Sequence, residues 1–180
     1  MVRVGSASLA VALVVSLASG ATAQEAKSAS LAKQLAAALD AAKMDSIAAA
    51  DPAQPGTFVA ALYFPNTQFL VVSAKYSVPQ LLNERLSKKE YKEVYIDLNS
   101  ASVPETKVFI EDLAADGMKV KREENQPYDT FEAGGKRTAF DGDWKKQKLT
   151  EQEYQKTYST ADDQYSRILT TLLAQLKKTS

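Results

Sequence analysis

The sequence contains no cysteine and no histidine. Without cysteine there are no structural disulfides, no thiolate nucleophile, no thiolate metal site, and no residue to carry a lipid anchor behind a leader. Without histidine there is no Ser-His or Cys-His nucleophile pair, no imidazole zinc site and no His-ligated haem. Carboxylate or lysine catalysis, oxygen-ligand metals, a bound organic cofactor and the absence of any chemistry remain open. An excess of either charge is missing too. The 22 basic and 22 acidic residues cancel to a formal net charge of +0, which gives no long-range pull toward nucleic acid or anionic lipid. Long apolar runs are scarce: residues 9–18 form one, about half of the roughly 20 residues a spanning helix needs, and no second follows. A membrane-embedded mature protein is therefore not expected.

That run has a definite context. Arg3 precedes it and Ala21-Thr22-Ala23 follows it with small residues, the layout of a secretory signal peptide over residues 1–23. Cleavage would start the mature chain at Gln24, and the expected location is periplasmic or extracellular. Residues 24–180 are the right length for a single globular domain.

Residues 28–50 are Ala-rich, with Leu31, Leu35 and Leu39 four apart and Met44 and Ile47 continuing at helical intervals. This predicts a long N-terminal amphipathic helix. Asp51-Pro52 and Pro55-Gly56 mark a turn, so the stretch from Ile47 to Ala50 reads equally well as a first short strand. Residues 57–64 and 68–74 are nearly continuous β-favouring runs around Pro65-Asn66-Thr67, a hairpin of central strands. A short helix capped by Ser77, with Pro79 in its first turn and Leu81, Leu82 and Leu86 on one side, ends at Lys88-Lys89.

Val94, Ile96 and Leu98 alternate with polar neighbours and predict a strand, as do Val108 and Ile110 within residues 107–113. Asp116-Gly117 then suggests a hairpin into a last strand at residues 118–121. The expected sheet has at least five strands. Residues 122–148 are polar and aperiodic and read as an ordered, irregular connection, with turn signals at Gly134-Gly135 and Asp141-Gly142. Thr150 with Glu153 forms a capping box, and Leu149 with Tyr154 a hydrophobic staple, at the start of a helix over about 151–178. Tyr154, Tyr158, Ala161, Tyr165, Ile168, Leu172 and Leu176 give it one long apolar stripe.

Several constellations invite a functional reading. Ser73-Ala74-Lys75, placed between a buried strand and a helix, could hold a phosphate jointly through hydroxyl and ammonium, or be a solvated strand end. Gly134-Gly135-Lys136-Arg137 could form an anion-binding nest or a hairpin turn. Asp141-Gly142-Asp143 lacks the later ligands of a calcium loop, and Asp162-Asp163 sits on the polar face of a helix, so both read as solvated. Nothing in sequence spacing brings Glu111 or Asp112 to a common pocket with a second acid. No Walker or dinucleotide fingerprint occurs, no metal-ligand set stands out, and no residue is singled out as catalytic.

The order of segments resembles the flavin-binding split-barrel family typified by pyridoxamine 5'-phosphate oxidase. Ile47-Ala-Ala-Ala-Asp51-Pro52 resembles its first strand and turn, residues 58–64 and 69–73 its next two strands, and Ser73-Ala-Lys75 the approach to its phosphate-binding helix. Residues 93–99 and 107–117 resemble its later strands. The resemblance implies an α+β fold: a small antiparallel split-barrel-like sheet, a six-stranded Greek-key barrel at about 47–121, flanked here by a long N-terminal and a long C-terminal helix. It implies a homodimer with flavin mononucleotide (FMN) at the interface and Ser73 and Lys75 as its phosphate contacts. The expected function is that of an exported binding or accessory protein without catalysis, taking a small molecule or a protein partner. The alternatives are an FMN-dependent oxidoreductase and an interaction protein docking a partner through its helices.

Overall fold

The computed structural model describes residues 26–76, 84–99 and 106–179. The expected signal peptide, the Ser77 cap with its Pro79 turn, and the break before residue 106 lie outside the described residues. Helix α1 (Lys27–Ala42) leads into strands β1 (Ser46–Ala50), β2 (Thr57–Phe64) and β3 (Phe69–Tyr76). A helical turn at 84–87 and helix α2 (Tyr91–Asn99) follow, then β4 (Thr106–Leu113), β5 (Asp129–Ala133), β6 (Lys136–Phe140) and the long helix α3 (Glu151–Thr179). The class is α+β, with an antiparallel sheet between an N-terminal and a long C-terminal helix, as the pattern of segments predicts.

The six strands lie in sequence order, each antiparallel to the next, so β1 and β6 are opposite edges of an open meander. The Greek-key order implied by the resemblance is not the order observed. Helix α1 ends where Lys43 turns left-handed (φ 55°), with the Lys43 amide donating to the Asp40 carbonyl and Met44 to that of Leu39. This is a Schellman stop. It frees Ile47 to pair with Ala61 in β1, which settles the two readings of that stretch in favour of a strand.

The sheet separates two cores. On one face α1 and α3 pack Leu35, Leu39, Tyr165, Ile168 and Leu172 against Val59, Leu70, Val72 and Ile110. The apolar stripe of α3 is thus buried within this chain. Its start is the expected capping box: Thr150 N donates to Glu153 Oε2 at 2.8 Å, and Glu153 N to Thr150 Oγ1 at 3.2 Å. On the other face Leu86, Val94 and Leu98 cover Ala60, Leu62, Val71 and Phe109.

Three expectations are corrected. Residues 93–99 are helical, not a strand. Val94 and Leu98 are fully buried and Ile96 is half exposed, because positions four apart share a helix face while the residue between them points away. Residues 118–121 form no strand; Met118 is buried and its amide donates to Ser28 Oγ at 2.8 Å, which takes the segment to α1 instead of the sheet edge. The stretch 122–148, expected to be irregular, holds the β5–β6 hairpin. Ala133 pairs with Lys136 across Gly134 and Gly135, both at positive φ, as a two-residue hairpin turn requires.

Candidate functional site

Alternation along β3 sends Leu70, Val72 and Ala74 to the face covered by α1 and α3 and Val71, with Ser73 and Lys75, to the opposite one. Ser73 lies between Ala60 of β2 and Phe109 of β4, and Lys75 between Phe58 and Thr106. Ser73 is 1 % exposed and Lys75 4 %. Both residues sit inside β3, not beyond it, and the reading of a solvated strand end is overturned.

Neither side chain has a hydrogen-bond partner among the described residues. Ser73 Oγ, Lys75 Nζ and Thr106 Oγ1 are buried and make no hydrogen bond among the described residues. Because cross-strand partners share a face, Thr106 stands beside Lys75 on the same side of the sheet as Ser73. Two hydroxyls and an ammonium therefore share one end of this face with no acceptor for their protons among the described residues. Burial lowers the Lys75 ammonium from 10.5 to about 8, since a charge removed from water without a counter-charge favours its neutral form. Sequence reasoning found Ser73 and Lys75 and missed Thr106, whose place depends on strand register.

The neighbouring polar groups on this face are satisfied. Glu111 accepts from Tyr95 Oη at 3.0 Å, from Thr130 Oγ1 and from Arg137 Nη2. Arg137 is thereby paired within the sheet, and Gly134-Gly135 is the hairpin turn of its two readings.

A second set of buried ionisable groups lies on the other face. Asp112 accepts from Tyr165 Oη at 2.8 Å, from the Gly117 amide at 2.9 Å and from the Asp116 amide at 3.1 Å. Asp129 accepts from the amides of Leu113 and Lys119 at 3.0 and 2.8 Å. Burial raises both carboxyls, Asp112 to about 6 and Asp129 to about 8; the like charge of Asp116 raises Asp112 further, and those of Asp112 and Asp116 raise Asp129. Every oxygen of the pair faces backbone or the Tyr165 hydroxyl, so the cluster fastens the 114–119 loop and offers no free acid to a substrate.

Asp141, Asp143 and Asp162 are structural as well. Asp141 Oδ1 accepts the Asp143 amide at 2.9 Å and Asp143 Oδ1 the Lys146 amide at 3.0 Å, which makes this a turn. Asp162 is only 6 % exposed, correcting its reading as a solvated residue. It accepts the amides of Lys27 and Ser28. Among the described residues no group of three or more acids could hold a metal ion, and no helix is long and apolar enough to cross a membrane.

No known protein family, curated protein or solved structure matches this chain.

Proposed function

We propose that this protein is an exported module that binds a small phosphate-bearing ligand through Ser73, Lys75 and Thr106. The observation that carries the reading is the set of three buried donors that have no acceptor among the described residues, at one end of the α2-covered face. Leaving such groups unpaired costs about 1–3 kcal/mol each, more for a charge, and an oxyanion would satisfy all three together. Export is supported by Arg3, the apolar run at 9–18 and Ala21-Thr22-Ala23.

FMN is the phosphate ester that the split-barrel resemblance brings forward, and the donor set fits its phosphate. When bound, FMN would supply hydride chemistry and make the protein an oxidoreductase; Ser73, Lys75 and Thr106 would hold the phosphate and have no part in redox steps. The binding module is the broader reading, because the donors specify the anion and not the group attached to it.

The test is equilibrium dialysis and a visible spectrum of the mature protein with FMN, beside thermal melts in inorganic phosphate. A phosphate-dependent rise in melting temperature that Lys75→Met abolishes, with the fold retained by circular dichroism, supports the module. A bound flavin spectrum narrows it to the oxidoreductase. No phosphate effect and no flavin binding would sink both. N-terminal sequencing after expression with the leader should read Gln24, and native mass decides whether the protein is a homodimer.

A further inference from the structure

The opposite face of the same strands holds a cleft unrelated to Lys75. A β-bulge interrupts the β3–β4 register: Ala74 pairs with Val108, yet Lys75 pairs with Thr106, leaving Lys107 as the extra residue. Regular alternation would place Lys107 on the α2 side, opposite to Val108. The bulge instead brings it to a cleft of about 260 Å³ that Ala74 and Val108 also line, between the sheet and α3. Re-aiming one side chain is a common use of a bulge.

The cleft has an apolar floor and a cationic rim. Ala74, Val108, Phe131 and Ala133 form the floor, all belonging to or packed on the main core. Lys107 and Arg167 form the rim with Gln54 and Gln164. Arg167 is paired with the buried Asp51 through Nη1, which neutralises one positive charge. Lys107 has no carboxylate partner in the described residues; its ammonium donates to Gln54 Oε1 and lies 4.3 Å from the centre of the Tyr76 ring. The described groups facing the cleft therefore sum to one uncompensated positive charge. Gln164 Oε1 accepts from Arg167 Nε and Nη2 at 3.4 Å, long bonds on the outer guanidinium edge, the one not used by Asp51, that a better acceptor can displace.

We propose that this cleft binds a small organic monocarboxylate, its carboxylate on Lys107 and the outer edge of Arg167 and its apolar body on Phe131 and the alanines below. One net charge matches a monoanion better than a phosphate dianion. The size is below the roughly 300–1,000 Å³ of sites for larger ligands, which limits the occupant to a body about as large as one aromatic ring. A guanidinium edge suits a planar carboxylate, and an apolar floor discriminates against strongly hydrated inorganic anions.

The probe is benzoate, titrated into the isotope-labelled mature protein while amide and methyl NMR shifts are followed, with benzyl alcohol and inorganic phosphate as comparisons. Saturable shifts at Ala74, Val108, Ala133 and Thr160, which lies on the α3 side of the cleft, with a Kd of about 1 mM or tighter, are expected for benzoate and not for benzyl alcohol. Lys107→Met should weaken benzoate by about tenfold, equivalent to roughly 1.4 kcal/mol. Lys107→Arg should retain it, and Lys75→Met should leave it unchanged, which separates this site from the phosphate-binding one. Absence of saturable shifts up to about 20 mM, far beyond that Kd, would overturn the proposal. Equal affinity for benzyl alcohol, or full affinity in a folded Lys107→Met protein, would overturn it as well.

Discussion

The carboxylate of Asp162, in the middle of α3, accepts the amide of Ser28 at 2.9 Å across 134 residues of chain. Its second oxygen accepts the Lys27 amide at the same distance. Ala26, the N-cap of α1, has no capping side chain, so the cap comes from another helix. The acid also sits where the positive end of the α1 dipole favours it. Asp162→Ala should lower stability by about 1–2 kcal/mol, read as a melting temperature lower by roughly 2–4 °C per kcal/mol. Asp162→Asn should recover part of the loss through its one carbonyl oxygen. A variant as stable as the parent in urea titration would show that α1 does not need this cap.

Gly117 is where the 114–119 loop touches α1. Its φ is +89°, and a Cβ there would lie 2.4 Å from the Ala29 Cα. Gly56, at φ +78°, faces open space and serves as the control for backbone conformation alone. Gly117→Ala should cost more than about 2 kcal/mol, whereas Gly56→Ala should cost about 1. Equal losses in chemical denaturation would mean that α1 yields to the added methyl.

Helix α2 can be told from a strand by three truncations. Leu98→Ala, in the second core, should destabilise by about 2–4 kcal/mol and Val94→Ala by somewhat less. Ile96 is 50 % exposed, and Ile96→Ala should change stability by less than about 0.5 kcal/mol. If all three positions lost comparable stability, a two-residue period would be in force and the helix would be wrong.

Lys75 makes the protein less stable near neutrality than above it. Its folded value of about 8 lies below the unfolded 10.5, so between these limits the unfolded chain binds more protons and stability rises with pH. Below pH 8 the full cost of charging the buried amine applies, on the order of 3 kcal/mol for a shift of this size. Lys75→Met should accordingly be more stable than the parent at pH 7, with the gap closing by pH 10.5. Denaturation midpoints across this range, without phosphate, check the sign.

The carboxyl of Asp129 acts in the opposite direction. Burial raises it from 3.8 to about 8, so its contribution to stability is complete below the lower value and is lost as pH rises through the upper one. Asp129→Asn keeps one acceptor for the two amides and cannot ionise. Its stability should depend less on pH between about 4 and 8 than that of the parent, although it starts lower in acid. Parallel pH profiles for the two proteins would assign the dependence to other groups.

Local chemistry alone carries much of this architecture. The capping box at Thr150, the stripe from Tyr154 to Leu176, the hairpin at Pro65-Asn66-Thr67 and the α+β class follow from residues within a few positions of each other. The short-range bonds that define those features are therefore legible in the chain. What joins distant segments is not. Whether Ile47 ends a helix or starts a strand depends on Ala61 across the sheet, and whether Val94 to Leu98 coils or extends depends on the apolar face that receives it. Ser73 and Lys75 could be named from the sequence as phosphate donors, but their burial, the addition of Thr106 and the swing of Lys107 to the other face arise from strand register and one bulge. A side chain's type is a property of the chain, whereas its solvent, its partners and the direction of its charge are set by segments that meet only when the sheet closes over its two cores.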